Sequence, residues 1–284
     1  MKRKSVLCID SQGFHRLRYY EWGDRANPRV VICVHGLTRT GRDFDFLAQS
    51  LAGDFRVICP DMPGRGESDW LRGKSDYGYP LYLADLTALI ARVTANGASK
   101  VSWVGTSMGA LAGIMMAAMR DNPIEKLVAN DAGMIVPKAA LDRIALYVGK
   151  EWTFPSFAEL EAHMRRAYAP FGPLTDAQWR HLTETSVKQK DDGSWVQSYD
   201  PAIGRAFEGD IQDVDLSAFW DAITCPVLLL RGAESDVLPQ DVAQAMTKRG
   251  PKARLVELEG FGHAPMLLDD AQVALVRSFL LEAS

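Results

Sequence analysis

Two hydrophobic patterns alternate along this chain. Short, continuous, β-branched or aromatic runs occur at Val6 to Ile9, Leu17 to Trp22, Val30 to Val34, Phe55 to Cys59, Val101 to Val104, Lys126 to Asn130, Pro226 to Leu230 and Arg254 to Leu258. Each reads as a strand, and the unbroken run at Val30 to Val34 reads as one buried on both faces of a parallel sheet. Between them lie stretches with helical spacing. Asp43 caps one that carries Phe44, Leu47, Ala48 and Leu51 on a stripe. Pro80 opens another with Tyr82, Leu86, Leu89, Ile90 and Val93, which stops at Asn96-Gly97. Further helices are expected from Ala110 to Arg120, from Val242 to Lys248, and from Ala271 to Leu281 behind an Asp269 or Asp270 cap. Strands alternating with helices predict an α/β fold with a mostly parallel, doubly wound sheet, in which function gathers at the carboxyl ends of the strands.

The alternation lapses between residues 132 and 224. That stretch carries helical patterns at Phe157 to Ala167 and Asp176 to Lys188, a turn at Asp191-Asp192-Gly193, and many aromatic residues. It is expected to be a helical cap inserted into a core made of residues 1–131 and 225–284. Part of its aromatic content should line a pocket roof, with Trp152 and Trp195 as candidates for substrate contact.

Composition narrows the class. The chain has 284 residues, 47% of them hydrophobic, enough for one large core with an insertion, and a net charge of -4 with both signs interspersed. Neither a nucleic-acid footprint nor a polybasic membrane anchor stands out. Cys8, Cys33, Cys59 and Cys225 lie singly in or beside apolar runs, without the short spacings of a zinc site or redox pair, so buried free thiols are expected and no metal or cofactor. The basic N-terminus is followed by an apolar run broken at Asp10, too short for a signal peptide or membrane span. A soluble, cytoplasmic protein with no membrane or nucleic-acid partner is expected; oligomeric state is left open.

The chemistry-bearing residues follow the strands. His35, Asp61, Ser107, Asp131, Asp236 and His263 each come after one of the third to eighth runs. Ser107 lies in Gly105-Thr106-Ser107-Met108-Gly109, between a buried strand and a helix of small residues. A sharp strand-to-helix turn of this kind holds its Ser in a strained conformation, and the flanking positions have no room for a Cβ. A serine hydroxyl is a weak nucleophile at neutral pH and needs a base, and the base needs an orienting group. His263, in Gly262-His263-Ala264-Pro265, is the expected base. Asp236, with Asp131 as the alternative, is the expected acid. The amides of Met108, at the helix start, and of Leu37, after His35-Gly36, are the expected donors to a developing oxyanion. His35 is expected to brace its loop, with substrate contact as its alternative role, Asp61 and Arg65 to pin the Gly64-Arg65-Gly66 loop, and Arg39 to be either solvated or an anchor for a substrate carboxylate.

Together, His35-Gly36, the Asp61-x-x-Gly64-x-Gly66-x-Ser68 loop, the Gly105 to Gly109 elbow, Asp236 and Gly262-His263 resemble the α/β-hydrolase superfamily over nearly the whole chain apart from the inserted segment. The resemblance implies the order nucleophile, acid, base along the chain, which Ser107, Asp236 and His263 follow, although some relatives keep their acid where Asp131 stands. Within the superfamily the chain looks most like bacterial carboxylesterases of small esters, some of whose relatives cut aliphatic polyesters. Ser at position 107 sets aside the epoxide hydrolases and haloalkane dehalogenases, which use Asp there. The expected activity is cofactor-independent serine hydrolysis of small neutral esters. The alternatives are a carbon-carbon bond hydrolase of the meta-cleavage type and a hydrolase-fold small-molecule receptor.

Overall fold

The computed structural model describes residues 1–95 and 97–283. Strands β1 (Lys2–Asp10) and β2 (Gly13–Trp22) form an antiparallel hairpin. They are followed by β3 (Val30–Val34), α1 (Asp45–Leu51), β4 (Arg56–Pro60), α2 (Tyr79–Thr94), β5 (Val101–Thr106), α3 (Met108–Ala117) and β6 (Ile124–Asn130). The stop read at Asn96-Gly97 falls partly on Asn96, outside the described residues; α2 itself ends at Thr94. Asp43 does not cap α1. It lies inside a 3-10 turn, Gly41–Phe44, that leads into the helix, and its carboxylate is bound by Arg39.

An insertion follows β6. It contains β7 (Ile135–Val136), α4 (Lys138–Ala145), α5 (Phe157–Ala167), α6 (Asp176–Glu184), β8 (Val187–Gln189), β9 (Trp195–Gln197), β10 (Val214–Asp215) and α7 (Ser217–Ala222). The core resumes with β11 (Val227–Gly232), α8 (Gln240–Met246), β12 (Arg254–Leu258) and α9 (Asp270–Leu281), whose N-cap Asp269 accepts from the amide of Gln272. The insertion is less uniformly helical than its periodicity suggests. The helix expected through Lys188 stops at Glu184, and β8 pairs with β9 as a hairpin around the Asp191-Asp192-Gly193 turn.

The main sheet has the order β1-β2-β4-β3-β5-β6-β11-β12, antiparallel at the β1/β2 and β2/β4 pairs and parallel from β4 onward. Alternation along each central strand divides the core between its two faces. Val30, Ile32, Val34, Trp103, Leu127 and Leu229 pack with α2, α3 and α8 on one side. Val31, Cys33, Val104, Val128, Leu228 and Leu230 pack with α1 and α9 on the other. All five residues of β3 are buried, so a continuous apolar run is what two covered faces require. At the hairpin edge, Cys8 and His15 are directly opposed in register, and His15 Nε2 lies 2.7 Å from Asp85 Oδ2, which ties the hairpin to α2.

Lys126 on β6 is buried and turns its ammonium group to the end of α9, donating to the carbonyls of Phe279 (3.1 Å), Leu280 (3.0 Å) and Glu282. A helix end leaves such carbonyls without intrahelical partners, and a cation there is favourable. Lys126→Met should therefore destabilise the fold by roughly 2–3 kcal/mol. The expected result is a lower denaturation midpoint at constant m-value with turnover per folded molecule unchanged; an unmoved midpoint would show that the clamp contributes nothing.

Candidate active site

Ser107 stands between β5 and α3 with φ 54° and ψ −117°, a region that L residues rarely enter. The conformation is forced by how closely the backbone folds over itself. A Cβ on Gly105 would lie 2.2 Å from the carbonyl oxygen of Gly109, and a Cβ on Gly109 would lie 2.0 Å from that of Val34. Both glycines are therefore steric requirements. Met108 is the first residue of α3, so its amide belongs to the group that a helix start leaves without an intrahelical acceptor.

The hydroxyl of Ser107 is 2.8 Å from His263 Nε2, and His263 Nδ1 is 2.7 Å from Asp131 Oδ2. Asp131 is fully buried. Its Oδ1 accepts from the amide of Gly232 at 2.8 Å, and its Oδ2 also accepts from the hydroxyl of Ser235 at 2.7 Å. These bonds fix the carboxylate and leave Nδ1 as the imidazole's donor, which directs the acceptor lone pair of Nε2 at the serine.

Asp236, expected from the sequence to orient His263, does not do so. Strand β11 runs on to Gly232, two residues past the expected end, and the chain then turns through Ser235, so Asp236 emerges at the surface. Its side chain is 46% exposed and forms a two-pronged ion pair with Arg143 of α4, with Arg143 Nη2 2.9 Å from Asp236 Oδ1. Partial burial alone would raise its carboxyl, but the guanidinium outweighs this and holds it below the ordinary carboxylate range. Asp131 follows β6 immediately, and its amide donates to Leu230 O, which places it against the end of β11. Asp131 adjoins the end of its strand, whereas Asp236 lies beyond the turn that follows its own.

The loop after β3 is held from three directions. His35 is fully buried, with Nδ1 2.7 Å from Gly36 O and Nε2 accepting the amide of Met62 at 2.9 Å. Gly36 O also accepts from the amide of Arg39 at 3.1 Å. In a trans peptide the N–H points opposite to the C=O, so these two bonds on Gly36 O fix the direction of the Leu37 N–H. On the far side, Arg65 Nε donates to Leu37 O at 2.8 Å. The glycine loop is pinned as expected: Asp61 accepts from the amides of Gly41 (2.7 Å) and Glu67 (2.9 Å), and burial pushes its carboxyl up to about 6.

Arg39 is neither solvated nor available to a carboxylate ligand. It is 4% exposed, its Nε and Nη2 meet both oxygens of Asp43 at 2.9 and 2.7 Å, and Nη1 reaches Ser186. Trp152 and Trp195 are also misplaced as substrate contacts. Trp152 is 45% exposed and packs on His163, and Trp195 packs edge-on against Phe157; neither lines a cavity that reaches Ser107.

Two cavities do reach it. One, of about 430 Å³, is walled mainly by apolar groups, among them Tyr79, Met108, Leu111, Leu141, Ile144 and Phe207. The other, of about 70 Å³, lies toward Thr38, Tyr147, Tyr168 and Phe171. Ile144, Tyr147 and Tyr168 escaped the sequence reading because α4 and the end of α5 carry no mark distinguishing them from residues that pack the insertion. The insertion is bonded to the loops beneath it. The amide of Gly66 donates to Ser198 O, that of Asp200 to Gly64 O, and that of Gly262 to Pro170 O, at 2.7–2.8 Å.

Sheet order, elbow and the hydrogen-bonded Ser-His-Asp chain at the strand ends define an α/β hydrolase, and the chain belongs to the alpha/beta hydrolase family, whose profile matches residues 31–277. A 3-hydroxybutyrate-oligomer hydrolase of Cupriavidus necator is 42% identical, over 98% of this chain and 97% of that protein. An esterase of Mycobacterium tuberculosis is 32% identical, over 86% of this chain and 78% of its own length. Among solved structures, an alpha/beta hydrolase from Novosphingobium aromaticivorans superposes with a TM-score of 0.86 at 35% identity, covering 98% of both chains. The chain is accordingly a hydrolase. Among the described residues, no helix is long and apolar enough to cross a membrane.

Two predictions follow from this geometry. Burial, with Arg65 and Arg39 close by, pushes His35 down to about 3. A depressed histidine contributes stability that is complete above its unfolded value near 6.5 and is lost as pH falls toward 3. Between pH 7 and 4.5 this amounts to roughly 2.5 kcal/mol, so over that interval the wild type should lose about that much more stability than His35→Gln. Equal slopes in urea titrations would refute the buried neutral imidazole. Separately, Asp131→Asn should lower hydrolytic turnover on the order of 10⁴-fold by reversing the tautomer of His263. Asp236→Asn, which loses only a half-exposed ion pair, should cost less than about tenfold. The opposite ranking would return the orienting role to Asp236.

Proposed function

We propose that this protein is a serine-dependent hydrolase of carboxylic esters, with short 3-hydroxyalkanoate oligomers, whose ester repeats are uncharged and whose one charge is a terminal carboxylate, as its substrate class. The observation that carries the reading is the continuous chain from Ser107 Oγ through His263 to buried Asp131, opening on an apolar cavity.

Ser107 Oγ adds to the ester carbonyl carbon as its proton passes to His263 Nε2, and the carbonyl π pair moves onto oxygen. Asp131 stabilises the imidazolium that results. The amides of Leu37 and Met108 receive the oxyanion, each worth roughly 10²- to 10³-fold. Collapse of the adduct breaks the bond to the alcohol, which leaves with the proton from His263. Water, deprotonated by the same imidazole, attacks the acyl-enzyme and frees Ser107 and the acid.

Three features favour an uncharged aliphatic chain around the scissile ester. The larger cavity has apolar walls, and its rim carries Glu208 and Asp210, which repel an anion entering from that side. The guanidinium groups of Arg39 and Arg143, on the other side of Ser107, are each already matched by a carboxylate. The relative from Cupriavidus necator, similar along its whole length, is named for oligomers of 3-hydroxybutyrate, whose methyl-branched ester backbone suits such a cavity. A meta-cleavage dienoate carries one carboxylate, as an oligomer does, so charge does not separate the two readings; the similarity to an oligomer hydrolase favours the ester.

The test is a substrate panel of p-nitrophenyl esters from acetate to dodecanoate, 3-hydroxybutyrate dimer and trimer, and a meta-cleavage dienoate. Many turnovers are expected on the short esters and the oligomers, with little on the dienoate. A fluorophosphonate should label Ser107, and Ser107→Ala should lose about 10⁶-fold in turnover while remaining folded. A dienoate turned over with kcat/KM above that of the best ester or oligomer would replace this reading with carbon-carbon hydrolysis, and a single turnover on every ester would favour a receptor.

A further inference from the structure

Arg65 is fully buried, and its partners are all neutral. Nε donates to Leu37 O at 2.8 Å, Nη1 to Pro63 O at 2.7 Å and to the Tyr82 hydroxyl at 2.8 Å, and Nη2 is 3.6 Å from Met108 Sδ. The cation also lies over the rings of Tyr82 and Tyr77, at 5.0 and 5.9 Å from their centroids. Among the described residues it makes no ion pair with a carboxylate. The contrast with its neighbours is sharp, since Arg39 and Arg143 each meet both oxygens of an aspartate.

A buried charge without a counter-charge is costly even when its donors are satisfied. If only hydrogen bonds to two carbonyls and a phenol were needed, neutral donors would meet that need at less cost. The position of Arg65 gives the charge a use. It touches Leu37 and Met108, the two residues whose amides are assigned to the oxyanion, and no others of the catalytic set. A fixed positive charge in a low-dielectric site lowers the energy of an adjacent anion without reorganising during the reaction.

We propose that Arg65 is a positioning residue of the oxyanion site: it locks the Leu37 side of the loop and supplies the counter-charge that the tetrahedral oxyanion completes. In the resting enzyme the guanidinium has no anionic partner. When Ser107 adds to the carbonyl and the electron pair moves onto oxygen, the site gains one. The preference is therefore for the transition state over the bound ester, so the effect falls on kcat more than on KM. Paired Arg39, on the opposite wall of the loop, makes no such contribution, because Asp43 cancels its charge at 2.7 Å. Asp61, an acidic anchor of the glycine loop, spends its oxygens on the amides of Gly41 and Glu67, and Asp200, whose carboxylate meets the Tyr77 hydroxyl, is matched by Lys74.

The inference rests on the serine mechanism above, and the experiment separates the two. A carbon-13 trifluoromethyl ketone forms a hemiketal with Ser107, with the serine proton passing to His263 and the former carbonyl oxygen carrying the charge. Its chemical shift reports ionisation of that oxygen. The probe would be titrated against wild type, Arg65→Met, which keeps the length without the charge, and Arg65→Lys, which keeps the charge without the fork. Folding would be checked by thermal denaturation. Arg65→Met should lose roughly tenfold to a hundredfold in both kcat and ketone affinity, with KM for a short ester changed less than about threefold. Its hemiketal should ionise at higher pH than that of the wild type. Arg65→Lys should lie between the two, and it carries the test if Arg65→Met fails to fold. Ketone affinity and hemiketal ionisation unchanged in whichever folded variant lacks the wild-type group would overturn the proposal, as would a loss expressed in KM alone. Failure of wild type to form the hemiketal would instead defeat the serine mechanism itself.

Discussion

The structure depends on how closely three backbone segments approach one another at Ser107. Gly105, Gly109 and the end of β3 meet with no space for a Cβ, and this contact drives the chain from β5 into α3 through a positive φ. Neither strand nor helix would choose that conformation alone. It persists because Trp103, Val104 and the fully buried α3 pack on both sides of the turn and overdetermine it. The hydroxyl is thereby raised above the carboxyl ends of the central strands with its direction fixed before any ligand arrives.

From that fixed point the site is assembled by hydrogen bonds that are mostly spent on backbone. His35 and Arg39 hold one carbonyl, Arg65 holds the next, and Asp61 holds two amides of the neighbouring loops. Buried polar groups of this kind are tolerable only when satisfied, and satisfied they make the loops rigid. The same arrangement divides the charges near the nucleophile into cancelled ones, Arg39 with Asp43 and Arg143 with Asp236, and an uncancelled one at Arg65.

Much of this could be read from the chain because the local rules agree with the global fold. A β-branched run such as Val30 to Val34 has few other uses than a doubly covered strand, and Gly-x-Ser-x-Gly between a strand and a small-residue helix has few other geometries. The acid was the failure. Asp131 and Asp236 both follow strands, and choosing between them needed the true end of β11 and the presence of Arg143, which comes from an inserted helix distant in sequence. The pocket walls were beyond reach for a related reason. Trp152 and Trp195 are as aromatic as Tyr147 and Tyr168, and only the path of the insertion decides which pair faces Ser107. Position along a strand is encoded locally; contact between an insertion and a core is not.

The bond between Gly262 and Pro170 has a consequence for how such an enzyme is governed. Ser107 and Asp131 belong to the frame of the sheet, but His263 sits on a loop whose neighbour is fastened to the insertion overhead. Ser107 and Asp131 are thus held by the sheet, whereas His263 is the member of the hydrogen-bonded chain whose loop is also held by the insertion. Any opening wide enough to disturb that fastening loosens the relay while leaving the serine in place.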